Sequence, residues 1–275
     1  MVVVVFAALA AAGWGTADYL GGKASRHAPA TAVLLFSQVL ALPVLVGWLV
    51  VTSPPGPQWS GFAWGAMGGA CGFIGMVLFL KSLASGAMTL VAPVVAVAVA
   101  VVPFVLGLFM DVWPSGLALG GVCCAVLAIA LVNRGGGRVR FSLPAFWTAL
   151  AAGCGLGMQL VCVGGPAANA GLWPLVGART TSILCAAVAV LAARQGGLRA
   201  VPWGLVVVAG VLDTSGFAFY LFALGSGLLS VVGPLTALAP AATIVLALIV
   251  DRERVARTQL AGLGLAAGAL VLVAV

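Results

Sequence analysis

Charged side chains are scarce in this chain of 275 residues, of which only 6% are Asp, Glu, Lys or Arg. An ordinary globular domain contains about 25% of these residues, and so few charges cannot cover the surface of a soluble protein of this size. Hydrophobic residues make up 64% of the chain, and its mean hydropathy is +1.27. This composition excludes a soluble enzyme, a disordered chain and a disulfide-rich secreted domain, and it indicates an integral membrane protein.

The residues of the common catalytic and metal sites are also missing. The single histidine, His27, lies in a predicted loop, and the sequence contains no HExxH, GxSxG or Walker A motif. All six cysteines fall inside predicted membrane spans without a CxxC spacing, where cysteine ordinarily packs as a small apolar residue. We therefore expect no enzyme activity, no metal, no cofactor and no ATP coupling within the chain.

Long uncharged stretches are the main feature that the sequence does contain. The longest of them exceed the roughly 18–20 apolar residues that cross a bilayer, and turn-forming or charged segments divide the chain at nine places. Barrel strands would alternate lipid-facing and polar residues, whereas these runs are apolar throughout. The predicted fold class is an all-α integral membrane protein with ten transmembrane helices, near residues 2–21, 30–51, 61–81, 87–110, 115–133, 143–163, 172–193, 203–224, 228–250 and 258–275.

Basic residues concentrate in the loops after the odd-numbered predicted helices. Those loops hold eleven of the twelve Lys and Arg residues, and the loops after helices 2, 4, 6 and 8 hold none. The positive-inside rule places the basic loops in the cytoplasm and both termini outside. Basic charge at the cytoplasmic membrane surface also explains the sequence pI of about 9.6 without a nucleic-acid partner. We expect a multi-pass protein of the cell membrane.

Two pairs of similar segments indicate an internal repeat. Residues 83–93 read LASGAMTLVAP and residues 224–234 read LGSGLLSVVGP, at an offset of 141. AAGWG at 11–15 meets AAGCG at 151–155, at an offset of 140. Two matches at nearly the same offset predict that the chain consists of two similar halves.

The predicted halves contain five helices each. They cover residues 1–134 and 143–275 and are joined by a cytoplasmic linker at 135–142. Because five is odd, the second half enters the membrane from the opposite side. Inverted repeats of this kind occur in many secondary transporters, which place their substrate site between the halves near the membrane midplane.

Glycines spaced four residues apart recur in several predicted helices and predict close helix contacts. They are Gly61, Gly65 and Gly69, Gly116 and Gly120, Gly153 and Gly157, and Gly264 and Gly268.

Each half also shows a Ser-Gly loop, a proline, a long apolar helix, an acidic break and a Gly-rich helix. The second half shows this order most clearly, in FYLFALGSGLLSVVGPLTALAP at 219–240 and VDRERVARTQLAGLGLAAGALVL at 250–272. The pattern resembles the EamA family of the drug/metabolite transporter superfamily, whose acidic residue after the fourth helix corresponds to Glu253. The first half departs from it, with Asp111-Val112-Trp113-Pro114 at this place. The resemblance implies a secondary transporter, often an exporter, and leaves its substrate open.

Three ionisable residues lie well inside the predicted helices, namely Asp18, Arg179 and Asp213. A charged residue costs about 2.5–3.5 kcal/mol at the centre of a membrane helix, so it usually faces a cavity or a partner. Asp213 is the eleventh residue of its predicted helix, which places it roughly 15 Å deep at about 1.5 Å per residue. We therefore expect these residues in a substrate-binding or proton-binding site.

The roles of the three residues allow more than one interpretation. Burial favours the protonated form of a carboxylate, so Asp213 or Asp18 could exchange a proton for substrate. Arg179 could instead be a structural counter-ion to one of these aspartates. Its planar guanidinium is also suited to a substrate carboxylate or phosphate. All of these interpretations fit the sequence.

Polar and aromatic neighbours extend the candidate site. Trp14 stands one helical turn before Asp18, and Tyr220 stands two turns after Asp213. Gln38 and Gln159 are amides far from either end of their predicted helices. Such residues could line a small-molecule cavity. Alternatively, the aromatic residues mark membrane interfaces and the glutamines bond to neighbouring helices.

The function predicted from these features is proton-coupled export of small organic solutes, such as amino acids, metabolites or amphipathic drugs, by alternating access. The alternatives are a flippase for a lipid-linked carrier and an uncoupled facilitator. The expected partners are a small-molecule substrate, protons and the lipid bilayer. Ten helices are enough for a functional monomer.

Overall fold

Helices account for almost all of the structure, which is a computed structural model. It describes residues 2–52, 56–84, 88–110, 113–132, 143–165, 170–193, 201–250 and 256–274, and these ranges contain no strand. The twelve helices in these ranges are α1 (Val2–Ala24), α2 (Ala30–Leu40), α3 (Leu42–Thr52), α4 (Trp59–Ala84), α5 (Met88–Met110), α6 (Gly116–Val132), α7 (Leu143–Gly164), α8 (Trp173–Ala192), α9 (Trp203–Leu224), α10 (Leu229–Thr236), α11 (Ala239–Val250) and α12 (Arg257–Ala274).

Two of the ten predicted spans are broken helices. The second span divides into α2 and α3 at Ala41, and the ninth divides into α10 and α11 at Ala237 and Leu238. Pro43 and Pro240 each lie in the first turn of the following helix. A proline there has no N–H to donate to the preceding helical turn, so the ladder of hydrogen bonds stops. The other eight predicted spans correspond to one helix each.

The lengths and hydropathy of these helices suit a membrane. Six described segments are long and apolar enough to cross a bilayer, and three further apolar helices are shorter, at Val94–Met110, Gly116–Leu131 and Leu229–Thr243. Large apolar side chains such as Phe109, Val51 and Leu191 are exposed on the outside of the bundle. In lipid this apolar surface needs no cover. The prediction of an all-α membrane protein is therefore confirmed, and the described helices fit the ten predicted spans.

Small residues bring α4 close to α7 and α8. A Cβ atom added at Gly65 would overlap the backbone of Pro174, and one added at Gly69 would overlap the carbonyl of Ala178. Gly153 similarly leaves room in α7 for Ala98 of α5. Without side chains at these positions the backbones approach closely, which is how helices gain dispersion energy in lipid. The sequence predicted these contacts correctly.

The other two glycine pairs do not have the predicted role. A Cβ atom at Gly116, Gly120, Gly264 or Gly268 would meet no atom within 4 Å in the part of the chain that the structure describes. α6 and α12 do pack against each other, but α6 does so through the opposite side of the helix, which buries Val122, Ala125, Ala128 and Ile129. Glycine spacing alone therefore does not identify the contacting face.

Some sequence features lie outside the described residues. They are Asp111, Glu253, the linker at 135–142, and the basic loop residues from Arg134 to Arg140, Arg194 to Arg199 and Arg252 to Arg254.

Candidate functional site

An ion pair joins two of the three ionisable residues predicted for the site. Nη2 of Arg179 in α8 donates to Oδ2 of Asp213 in α9 at 2.6 Å. The Arg179 side chain is 7% exposed and the Asp213 side chain is 34% exposed, so the pair is open on the carboxylate side. The guanidinium carbon also lies 5.1 Å from the ring centroid of Phe217, one helical turn after Asp213. This cation–π contact adds a second constraint on the position of Arg179.

Asp18 lies on the side of α1 that faces the protein. Leu9 precedes it by nine residues, about two and a half turns, and is exposed on the opposite side of the helix together with Val5. Ala11 precedes Asp18 by about two turns, so it lies on the same side, and it is buried. Asp18 is nevertheless exposed on the protein-facing side of α1, which indicates a cleft between the described helices at this place.

The opening extends from Asp18 towards the end of α1. A Cβ atom at Gly21 or Gly22 would meet no atom of the described residues within 4 Å, whereas one at Gly15, earlier in α1, would overlap the backbone of Ala239. Trp14, one helical turn before Asp18, donates to the backbone carbonyl of Asp213, so the two carboxylates lie in one region and interact electrostatically. The structure thus brings all three predicted ionisable residues to one cleft.

Trp14 connects α1 to the ion pair. Its indole Nε1 donates to the backbone carbonyl of Asp213 at 3.3 Å, and its ring lies 4.8 Å from that of Phe217. Gly216 makes this contact possible, because a Cβ atom there would lie 2.7 Å from the Trp14 ring. Trp14 is half-buried and lies one helical turn before Asp18 on α1.

Tyr220 and Gln159 are engaged in contacts between helices. Tyr220 is fully buried, and its hydroxyl donates to the carbonyl of Leu160 in α7 at 2.9 Å. Gln159 of α7 is half-buried, and its carboxamide occupies the space that a side chain at Gly72 of α4 would need. Gln159 thus packs against a neighbouring helix, whereas Tyr220 is buried in the bundle, which differs from the interface position that the sequence allowed as an alternative.

Three buried polar atoms on α2, α8 and α9 have no hydrogen-bond partner among the described residues. They are Oε1 of Gln38, Nε of Arg179 and Oγ1 of Thr214. Gln38 is 4% exposed and Thr214 is 1% exposed, and α2, which carries Gln38, contacts both α8 and α9. A buried polar atom without a partner costs about 1–3 kcal/mol. Such a group of atoms is typical of a site that is completed by a ligand or by water.

Thr214 and Phe217 were not predicted as site residues from the sequence. Their spacing to Asp213 was a usable signal, since Thr214 follows it directly and Phe217 shares its helix face. Threonine and phenylalanine are common in apolar helices, however, so neither stands out by residue type. Only the contacts across α8, α9 and α1 identify them.

The site contains groups that can bind protons and organic ions but no arrangement for a metal. No group of three or more His, Cys, Asp or Glu side chains within the described ranges could hold a metal ion. The six cysteines are free thiols, and those of Cys71 in α4 and Cys162 in α7 contact each other. Two carboxylates and one guanidinium therefore supply the chemistry of the cleft.

Comparisons with known proteins identify the family. The EamA-like transporter family matches the chain twice, over residues 1–134 and 144–275. No curated protein matches the chain significantly. One solved structure, described only as a crystal structure of a protein, is similar over 99% of this chain and 98% of its own, with a TM-score of 0.78 and 16% sequence identity. At this identity the similarity shows a shared fold.

The two family matches together cover nearly the whole chain, so they apply to both halves of the helix bundle. Members of this family are transporters and not enzymes, in agreement with the function class predicted from the sequence. The chain is therefore a multi-pass membrane transporter that belongs to the EamA-like transporter family of the drug/metabolite transporter superfamily.

Proposed function

We propose that this transporter exports small organic solutes in exchange for protons, by alternating access at the cleft formed by α1, α8 and α9. The observation that carries the proposal is the exposure of Asp18 on the protein-facing side of α1, beside the ion pair of Arg179 and Asp213. An ionisable group at membrane depth is costly unless it faces water or a partner. A carboxylate in an aqueous opening can bind a proton or a substrate in turn.

Helix directions support an inverted arrangement of the two halves. Contacts show that α1 runs parallel to α10 and α11, that α10 runs antiparallel to α5, and that α5 runs parallel to α7. It follows that α1 and α7, the first helices of the two halves, run in opposite directions. The direction of α1 relative to α10 and α11 follows from the contacts of Val3 with Gly227 and of Gly15 with Ala239. That of α5 relative to α10 follows from Pro103 with Gly233 and Gly107 with Ser230. That of α5 relative to α7 follows from Ala98 with Gly153 and Val102 with Gly157.

Equivalent contacts in the two halves support the same arrangement. Gly69 of α4 closely approaches the carbonyl of Ala178 in α8, and Gly210 of α9 closely approaches the carbonyl of Ser37 in α2. Gly69 and Gly210 are 141 residues apart, as are Ser37 and Ala178, which is the offset between residues 83–93 and 224–234. A duplication followed by inverted insertion accounts for both contacts, and alternating access would exchange the roles of the halves.

The direction of the opening is consistent with export. The open end of α1 is followed by Lys23 and Arg26, which the positive-inside rule places in the cytoplasm of the cell. A solute could therefore enter the cleft from the cytoplasm, with both chain termini outside. All three ionisable groups come from one chain, so we propose a monomer as the functional unit.

Purified protein in liposomes that contain a pH-sensitive dye tests the proposal. We expect proton movement when a panel of amino acids and cationic drugs is added, and loss of this movement in Asp18→Asn. Asp111→Asn makes the same chemical change at a predicted span end and provides the matched control, with protein-free liposomes as the background.

Other outcomes would assign a different transport mode. Solute exchange without proton movement would indicate an uncoupled facilitator. Transport restricted to a lipid-linked carrier would indicate a flippase. Either result would overturn proton-coupled export.

A further inference from the structure

The charges in the cleft do not balance. Asp213 is already neutralised by Arg179, whose Nη2 donates to it at 2.6 Å. Asp18 interacts with Asp213, and no cation among the described residues of this group is paired with Asp18. Two carboxylates and one guanidinium leave one negative charge, which is costly at membrane depth unless a further cation or a proton is bound.

No other described charge on the helices around α1 is placed to supply that cation. The helices packed against α1 are α2, α9, α10, α11 and α12, and their titratable residues in the described ranges are Asp213 and Tyr220 in α9 and Arg257 in α12. Tyr220 donates to Leu160, and Arg257 is exposed at the first residue of α12. On α1 itself, Lys23 lies over the Tyr19 ring at 4.6 Å and points away from the Asp18 side of the helix.

The other half of the chain does not compensate for the charge either. At the offset of 141 each charged residue of the site corresponds to an uncharged one, Asp18 to Gln159, Arg179 to Gln38 and Asp213 to Gly72. Gln38 nevertheless belongs to the same region, since α2 contacts α8 and α9. The excess negative charge is therefore a property of one side of the bundle only.

Unpartnered buried atoms indicate that a ligand completes this site. Oε1 of Gln38 can accept a hydrogen bond, Nε of Arg179 can donate one, and Oγ1 of Thr214 can do either. All three atoms are buried and lack partners among the described residues. The half-buried ring of Trp14, whose indole donates to the Asp213 carbonyl, offers an aromatic surface to a cation.

We infer that Asp18 is the carboxylate that binds the substrate, and that the substrate is a small organic cation carrying one positive charge, such as a primary amine. This inference rests on the proposed function and assigns its substrate class. When the amine binds, it takes the place of the proton on Asp18, and the proton leaves to the solution. The site then carries the same net charge before and after the exchange. A substrate carboxylate would add a second uncompensated negative charge.

Proton release on ligand binding tests the inference without requiring transport. The purified protein in detergent, in weakly buffered solution, is titrated with phenethylamine, phenylalanine and 3-phenylpropionate, which share one ring and differ in charge. We expect phenethylamine to release about one proton per bound molecule. We expect no release with the zwitterion or the anion.

Variants of Asp18 identify the carboxylate. Asp18→Asn should lose proton release and bind phenethylamine at least tenfold more weakly. Asp18→Glu should retain proton release. This difference would show that the carboxyl group itself is needed. Asp111→Asn should behave as the wild type. Size-exclusion profiles of all variants show whether they are folded, and the comparison of the three ligands on the wild type needs no variant.

The outcomes separate this inference from the proposed function. Absence of proton release with phenethylamine from the wild type overturns the inference, and so does unchanged release in folded Asp18→Asn. If liposomes that contain the wild type then still move protons with a different solute, proton-coupled export stands, and only the assigned substrate class and the role of Asp18 are wrong. If these liposomes move protons with no solute, the proposed function and the inference are both wrong.

Discussion

At the scale of single residues, the cost of placing charge in a membrane explains what the sequence revealed. Asp18, Arg179 and Asp213 were identifiable because each is expensive in hydrocarbon, and the structure places all three at one cleft. The sequence did not identify which aspartate pairs with Arg179, since either Asp18 or Asp213 could do so. Thr214 and Phe217 gave no signal because their residue types are ordinary in apolar helices.

The ion pair can be tested by a double-mutant cycle. Arg179→Gln and Asp213→Asn should each destabilise the protein by leaving a partly buried charge without its partner. The double variant should be less destabilised than the sum of the two single effects, with a coupling energy of about 0.5–3 kcal/mol. Because the Asp213 side chain is 34% exposed, this coupling energy should be smaller than that of a fully buried ion pair. The coupling energy is obtained from the free energies of unfolding of the wild type and the three variants, measured in mixed micelles. Additive effects of the two substitutions would contradict the ion pair.

Tyr220 provides a test of a packing role against a transport role. Tyr220→Phe removes the hydroxyl that donates to Leu160, so the free energy of unfolding should fall by about 0.5–1.5 kcal/mol because one buried hydrogen bond is lost. Proton-coupled transport per folded molecule should stay at the level of the wild type. Loss of transport with unchanged stability would instead place the hydroxyl in the substrate site.

At the scale of helices, hydropathy predicted the spans better than it predicted their interruptions. Ten apolar runs correspond to helices, but the breaks at Ala41 and Ala237 were not predicted as helix ends. Their cause is the proline that follows each of them, Pro43 and Pro240. Pro103 lies inside α5 without dividing it, so a proline in an apolar run does not by itself show whether the helix stops.

Glycine substitutions separate contacting from lipid-facing helix surfaces. Gly65→Ala places a Cβ atom against the backbone of Pro174 and should force α4 away from α8, lowering the thermal unfolding temperature and the folded yield. Gly120→Ala is the matched control because the space around it is open. It should be neutral or stabilise the protein by about 0.4–1 kcal/mol through the unfolded chain. Equal effects of the two substitutions would contradict the packing described.

At the scale of the whole molecule, the sequence predicted the class of protein and the number of spans, and the family match confirmed the transporter class. The path through the bundle was not predictable. It depends on which side of α1 is open, and both sides of that helix contain small apolar residues. Asp18 was recognisable as an internal charge, but its exposure to an opening required the positions of the surrounding helices.

Cysteine labelling tests the opening and its direction. In a background without the six native cysteines, Gly22→Cys should react with a membrane-impermeant thiol reagent applied to inside-out vesicles, because Gly22 lies in open space beyond Asp18. Leu9→Cys, on the lipid-facing side of the same helix, should not react. Labelling of Gly22→Cys only from the outside would reverse the proposed orientation.

The single uncompensated charge of the cleft has a consequence for how this transporter would be powered. If one proton is exchanged for one monovalent amine, no net charge crosses the membrane in a complete cycle. A membrane potential, worth about 2.3 kcal/mol per elementary charge at 100 mV, would then do no work on the exchange. Accumulation should follow the pH gradient alone, and a potassium diffusion potential set with valinomycin should leave the final amine ratio unchanged.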